Sequence, residues 1–184
     1  NKAYADRARL LRQHGMSIND RVRHASNKVM VTDHIEVGYN YRMTDIQAAV
    51  GIKQLEKLDW IVKERRKIAQ QYNELLKDVS ALRLPAEEKG YESNFQSYCV
   101  YVNNKYPHSV TDLMQDLLDA GISTRSGVML SHRETAYKDV YSHISLPVSE
   151  DLLNRCVILP LYVPMQPEEV TFVANALRLA LTKK

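Results

Sequence analysis

The period of the apolar positions changes several times along the chain, and each change marks an element. Ala3, Leu10 and Leu11 sit at helical spacing in the opening residues, which predicts a helix from the start of the chain that stops at Gly15. From Met16 to Val37 no period persists and Ser, Asn and Asp recur. A long irregular segment is expected there, with a short strand at Lys28 to Val31. Thr44 and Gln47 then form a Thr-x-x-Gln capping box, so a helix should begin at Asp45. Its apolar positions Ile46, Ala49, Val50, Leu55, Leu58, Ile61, Val62, Ile68, Ala69, Tyr72, Leu75 and Leu76 keep the spacing that one helical face would bury. No breaker interrupts the run before Asp78, so it reads as two consecutive helices or one long bent one.

After Asp78 the texture changes. Phe95 to Val102 (FQSYCVYV) is aromatic and β-branched, as strands prefer. Ser109 and Asp112 open a helix carrying Leu113, Met114, Leu117 and Leu118 that Gly121 closes, and Ile122 to Arg125 is a short strand candidate. Ser149 to Arg155 reads as a short helix, CVILPLY as a strand cut by Pro160, and Pro167 as the start of a last helix with Val170, Val173, Leu177 and Leu181 inward. Residues 79–184 should therefore form a compact α+β lobe following a first region, 1–78.

Composition narrows the class. Hydrophobic residues at 45% and charged residues at 26%, with 6 Gly and 6 Pro, describe a folded globular chain rather than a disordered or fibrous one. No apolar run approaches the roughly 18 to 20 residues that span a bilayer, and the first residues lack a signal-peptide pattern. We expect no membrane insertion and a reducing, cytoplasmic setting, with Cys99 and Cys156 as small buried side chains. The chain opens on Asn1 and enters a helix at once, which reads as the middle of something larger.

The net charge of +3 is too small to imply nucleic acid. Residues 1–30 nevertheless hold seven Lys/Arg against two acids, either a solvated basic face or one that attracts phosphates. The KERRK stretch, Lys63 to Lys67, reads as the wet side of its helix. The six histidines, His14, His24, His34, His108, His132 and His143, are scattered without metal-ligand spacing, so no metal is expected. The Gly-x-Ser-x-Gly elbow and the common phosphate-loop and dinucleotide fingerprints are missing from the sequence.

Two stretches carry candidate chemistry. In GYNYRMT, residues 38–44, an asparagine amide and an arginine fork precede a helix N-terminus, whose free amides and partial positive charge suit an anion such as phosphate. The alternative is a surface turn with Gly38 at positive φ and its tyrosines packed on the core. In GISTRSGVMLSHRETAY, residues 121–137, Arg125, His132, Arg133 and Tyr137 lie in a segment of weak period, which suits a substrate-facing loop or plain surface exposure.

The stretch GYNYRMTDIQAAVGIKQLEKLDWIVKERRKIAQQY resembles closely the Gly-x-Asn-Tyr-Arg-Met-x-x-x-Gln-Ala-Ala signature of the DegT/DnrJ/EryC1/StrS family of pyridoxal-phosphate sugar aminotransferases. LLRQHG, the Gly-Ile-x-Thr-Arg at 121–125 with His132 and Tyr137, and VILPLYVPM resemble further family segments, so the likeness spans essentially the whole chain.

The resemblance implies an α/β fold class: the C-terminal part of a fold-type I pyridoxal-phosphate transferase, with the end of the large domain and its connecting helices at 1–78 and the small α+β domain at 79–184. It implies amino transfer, with glutamate the expected donor, to a nucleotide-linked keto-sugar, as in surface polysaccharide or amino-sugar biosynthesis. The cofactor would be pyridoxal 5'-phosphate, and the expected assembly is a homodimer with an active site shared across the interface, binding neither nucleic acid nor membrane. Asn40 and Arg42 become candidates for the cofactor, Asn40 donating to its phosphate in the partner's site, and Tyr41, Arg125, His132 and Tyr137 become candidates for the substrate. The family's cofactor-binding lysine lies upstream of its Leu-Arg-x-His-Gly segment, so no catalytic residue is assigned here and this chain alone is expected to be inactive. A competing reading from the residues is a non-catalytic, helix-rich interaction module with a basic anion-binding N-terminal region.

Overall fold

The structure is a computed structural model that describes residues 1–18 and 20–183, with Asp20 and Arg21 described by their backbone alone. The chain forms two compact units, Asn1–Glu56 and Lys57–Lys184. The division falls earlier than the expected break after residue 78, because the helix following Glu56 buries its apolar side chains in the second unit's core.

In the first unit, α1 (Lys2–Leu11) is capped by the Asn1 side chain, which accepts from the Ala3 amide. The helix ends before Gly15; His14 and Gly15 both take left-handed backbone (φ 58° and 66°) and turn the chain back. A short helix, α2 (Asp20–Ala25), follows within the segment read as irregular. The strand expected at Lys28 to Val31 does not form: Val29 and Val31 are 97% and 85% exposed, so their β-branching meets no sheet and no core. The capping box at Thr44 forms as predicted and starts α3 (Asp45–Leu55).

In the second unit, α4 (Leu58–Leu76) begins after a break at Glu56 and Lys57, so the long helical run is two consecutive helices. The single buried face expected of that run exists only in its second half, where Ile68, Ala69, Tyr72 and Leu76 are buried. None of the residues of α3 is buried.

The sheet of the second unit has four strands, β1 (Leu82–Arg83), β2 (Tyr98–Val102), β3 (Arg125–Ser126) and β4 (Cys156–Leu159), in the order β1-β2-β4-β3 and antiparallel throughout. Two strands are shorter than their sequence windows. β2 starts at Tyr98 because Phe95 adopts φ 43°, and β3 starts at Arg125, where pairing with Ile158 begins.

Alternation along β2 puts Tyr98, Val100 and Val102 on the core face with Val157 and Leu159 of β4. That face is covered by α4, α5 (Val110–Asp119) and α8 (Pro167–Leu181), which contribute Leu113, Leu117, Val170, Val173, Ala174 and Leu177. On the opposite face, the Tyr101 hydroxyl donates to Asp151 of α7 (Pro147–Arg155), and the Arg83 guanidinium lies 4.4 Å from the Tyr101 ring centroid. The buried hydroxyls of Tyr72 and Tyr98 are satisfied by Pro160 O at 2.8 Å and Asn73 Oδ1 at 2.6 Å, and burial raises both phenol pKa values.

The KERRK stretch is a wet face only in part: Lys63 and Lys67 are exposed, but the two arginines are engaged. Arg65 donates to the carbonyls of Phe95 and Gln96, and Arg66 donates to the carbonyl of Ser93 and to Glu92. These two half-buried arginines tie down the loop in which Phe95 takes left-handed backbone, a conformation a bulky side chain rarely adopts without such support.

Candidate functional site

The GYNYR segment is fixed by backbone contact with the turn after α1. The Tyr39 amide donates to Leu11 O at 2.7 Å, the His14 amide to Tyr39 O at 3.0 Å and the Tyr41 amide to Arg12 O at 3.0 Å, while Ile35 N reaches Gly15 O at 3.0 Å. Gly38 is needed for proximity, not for positive φ: a Cβ on it would fall 2.1 Å from the Gly15 nitrogen, and one on Gly15 would fall 2.1 Å from Glu36 O. Arg7 of α1 pairs with Glu36 and closes the same junction.

Asn40, Tyr41 and Arg42 are all exposed, and the rings of Tyr39 and Tyr41 stack on each other (centroids 5.2 Å apart, planes 7° from parallel) rather than on a core. The alternative turn, with positive-φ glycine and tyrosines packed inside, is therefore not what forms. Two residues beyond Arg42 the α3 cap uses the Gln47 amide, which Thr44 Oγ1 accepts at 3.3 Å, and the Thr44 amide, which donates to Gln47 Oε1 at 2.9 Å. The amides of Asp45 and Ile46 are the remaining orphan donors of that first turn. An asparagine amide, a guanidinium and these donors are chemistry that fits a cofactor phosphate, opposed locally by the Asp45 carboxylate.

The basic N-terminal region is partly neutralised. Lys2 and Arg9 both pair with Asp6, at 3.3 and 2.9 Å, and Arg7 with Glu36. Pairing reduces the field available to attract phosphates and weakens the reading of the first helix as a basic binding face.

In the second unit the substrate candidates occupy three neighbouring elements. Arg125 is exposed on β3, His132 lies in a 3-10 turn at Ser131–Arg133, and Tyr137 caps α6 (Lys138–Tyr141) with its ring 6.3 Å from that of Tyr141. Among the described residues no hydrogen bond or ion pair joins Arg125, His132 and Tyr137 to one another.

Surface exposure, the plainer expectation for this segment, fails for His132, which is 8% exposed and faces Glu150 of α7 at 3.3 Å. The same Glu150 oxygen, Oε1, accepts from Arg133 at 2.8 Å and from the Leu146 amide at 3.1 Å, and these bonds, Arg133 first, lower its pKa to about 2.

Sequence reading missed Glu150, Glu36 and the Gly15–Gly38 contact. Their partners are remote in sequence, and a lone glutamate on a short helix carries no local signal. Gly127 was also missed: its amide donates to Cys156 O at 2.9 Å, and a Cβ there would come within 2.7 Å of the Cys99 sulfur and 2.4 Å of the Cys156 Cβ. Both cysteines are free, and burial pushes the Cys99 thiol up to about 12.

This architecture is similar to somewhat less than half of several solved aminotransferase chains. PseC of Helicobacter pylori, an aminotransferase of pseudoaminic acid biosynthesis, superposes with a TM-score of 0.83 at 20% identity over 98% of this chain and 47% of its own. A DegT DnrJ EryC1 StrS aminotransferase from Brucella abortus is 28% identical with a TM-score of 0.76, over 100% of this chain and 45% of its own.

In sequence the chain is 30% identical to uncharacterized protein MJ1066 of Methanocaldococcus jannaschii, across 97% of this chain and 47% of that protein. It thus spans about half the length of the relatives it matches. The model of the DegT/DnrJ/EryC1/StrS aminotransferase family matches residues 1–178, and the chain belongs to that family. A structural neighbour from Streptococcus pneumoniae, Spr1654, has been solved in both PLP and PMP forms. No helix among the described residues is long and apolar enough to cross a membrane.

Proposed function

We propose that this chain is the C-terminal portion of a pyridoxal-phosphate-dependent enzyme that transfers an amino group, with glutamate as donor, to the keto carbon of a nucleotide-linked sugar. The observation that carries the reading is the GYNYR segment. It is held by its backbone against the turn after α1, so its side chains stay exposed directly before a helix N-terminus. Asn40 and Arg42 would hold the cofactor phosphate, with the free amides of the first turn of α3 beside them. In the first unit Tyr41, 71% exposed, is a substrate candidate; in the second unit, taken by itself, Arg125, His132 and Tyr137 are the candidates.

Pyridoxal phosphate supplies the electron sink for amino transfer when bound. The residues of this chain bind and orient: Asn40 donates, Arg42 neutralises anionic charge, and the Gly15–Gly38 junction fixes both against solvent-driven drift.

The assembly we propose is a homodimer in which these residues complete the partner's site. The first unit supports it: Gly15 is its only buried residue among those described, and Val37, Met43, Ile46, Val50, Ile52 and Leu55 are all more than half exposed. In the complete protein the rest of the large domain, a partner surface or both would cover that apolar area.

The covalent cofactor lysine, in this reading, is not among the lysines of this chain. Two assays test the proposal. The complete reading frame encoding the chain, given glutamate and a nucleotide-linked keto-sugar, should release 2-oxoglutarate, and Asn40→Ala should raise the pyridoxal phosphate concentration needed for half-maximal rate by about tenfold or more. An unchanged cofactor requirement would remove Asn40 from the site. Borohydride treatment of the 184-residue chain with pyridoxal phosphate should label no unique lysine; a single labelled lysine would overturn the assignment of that residue elsewhere.

A further inference from the structure

The start of α7 lacks the usual cap. Its N-cap residue is Leu146, which has no side-chain oxygen, and its first residue is Pro147, which has no amide hydrogen. Glu150 fills the gap by reaching back to the Leu146 amide. The same Oε1 also takes a hydrogen from Arg133 and lies 3.3 Å from His132 Nε2.

Two of these three partners, a guanidinium and a backbone amide, can only donate, so the oxygen they share is an acceptor. The third contact therefore requires that His132 carry its ring hydrogen on Nε2. In the neutral ring, Nδ1 is then the lone-pair nitrogen.

We propose that Glu150 is a positioning residue for His132: by accepting the Nε2 hydrogen it fixes the tautomer and orientation of the imidazole, leaving Nδ1 to accept a hydrogen bond or a proton from the substrate. This rests on the aminotransferase reading above, in which His132 serves the substrate. Burial sharpens the constraint, because a ring only 8% exposed has little water to replace a lost acceptor. Arg133 is held by the same oxygen, so the 3-10 turn and the start of α7 are joined at a single carboxylate.

The test begins with ring nitrogen NMR on the 184-residue chain labelled with 15N-histidine. His132 should show its ring proton on Nε2, slowed in exchange with water. A proton on Nδ1, or a ring proton exchanging as freely as those of exposed histidines, overturns the proposal without any variant.

Glu150→Gln keeps an oxygen at the same place and should retain the signal, whereas Glu150→Ala should lose it. In the complete enzyme, Glu150→Ala should lower kcat about tenfold or more with KM for glutamate changed less than about twofold, and Glu150→Gln should recover most of the rate. Wild-type transfer with an equally active Glu150→Ala variant overturns the positioning role alone. A complete enzyme that transfers nothing overturns the aminotransferase reading and this inference with it.

Discussion

The two units of this chain are held together by different physics. The second closes around a continuous apolar core of sheet, α4, α5 and α8, in which Tyr72, Tyr98, Leu113, Leu117, Leu177 and several valines are fully buried. Among the described residues the first has no such core: it coheres through backbone hydrogen bonds, the Arg7–Glu36 pair and the contact of two glycines, while most of its large apolar side chains face outward. A region that leaves that much apolar surface uncovered is shaped for contact beyond itself. The region with its own core is shaped for independent stability.

That contrast can be broken by substitution. The largest effect is expected from Leu177→Ala, which deletes a fully buried side chain of α8 and should cost about 2–5 kcal/mol in denaturant unfolding of the second unit. Gly38→Ala places a Cβ 2.1 Å from the Gly15 nitrogen and should cost about 1–3 kcal/mol. It should appear as faster proteolysis between residues 12 and 42, with hydrogen exchange in β2 and β4 unchanged. A uniform loss across both units would show that they do not behave separately.

Thr44→Ala removes the cap oxygen and should cost about 1 kcal/mol, read as faster exchange of the Gln47 amide. The smallest effect is electrostatic. Asp78 makes a two-oxygen contact with Arg178, which with a backbone hydrogen bond lowers its pKa to about 2, and Glu150 is lowered to about 2 mainly by Arg133. A carboxylate depressed below its ordinary value of about 4 stabilises the fold above that pH and loses the contribution as the pH falls through about 2. The midpoint of unfolding of the second unit should therefore fall between about pH 4 and pH 2, and Asp78→Asn should make that fall shallower. Because Asp78 is exposed, salt should shrink its share.

Much of the second unit was legible in the residues. Pro167 and the spacing of Val170, Val173 and Leu177 gave α8 its start and its inward face, because a helix on a core must repeat its apolar side chains every turn. The same spacing in Ile46, Val50 and Leu55 predicted a buried face that this chain does not bury. Periodicity reports that a face is apolar; it carries no information about what covers it. The arginines of KERRK misled for a related reason, since carbonyls of a loop roughly thirty residues away are invisible to local pattern. At the candidate site, the residue types in GYNYR and in the His132 segment pointed to anion and substrate chemistry through family resemblance, while Glu150 gave no signal.

The order of residues by itself therefore determined where α3, α5 and α8 start, through two capping boxes and Pro167, and it carried the family signature. The tertiary structure decided which apolar faces close on one another, why Gly38 must be glycine, and that one glutamate oxygen holds a histidine, an arginine and a helix start together. The reason is range: capping and helical period act over three or four residues, whereas the Gly15–Gly38 and His132–Glu150 contacts join positions that only the folded chain makes neighbours.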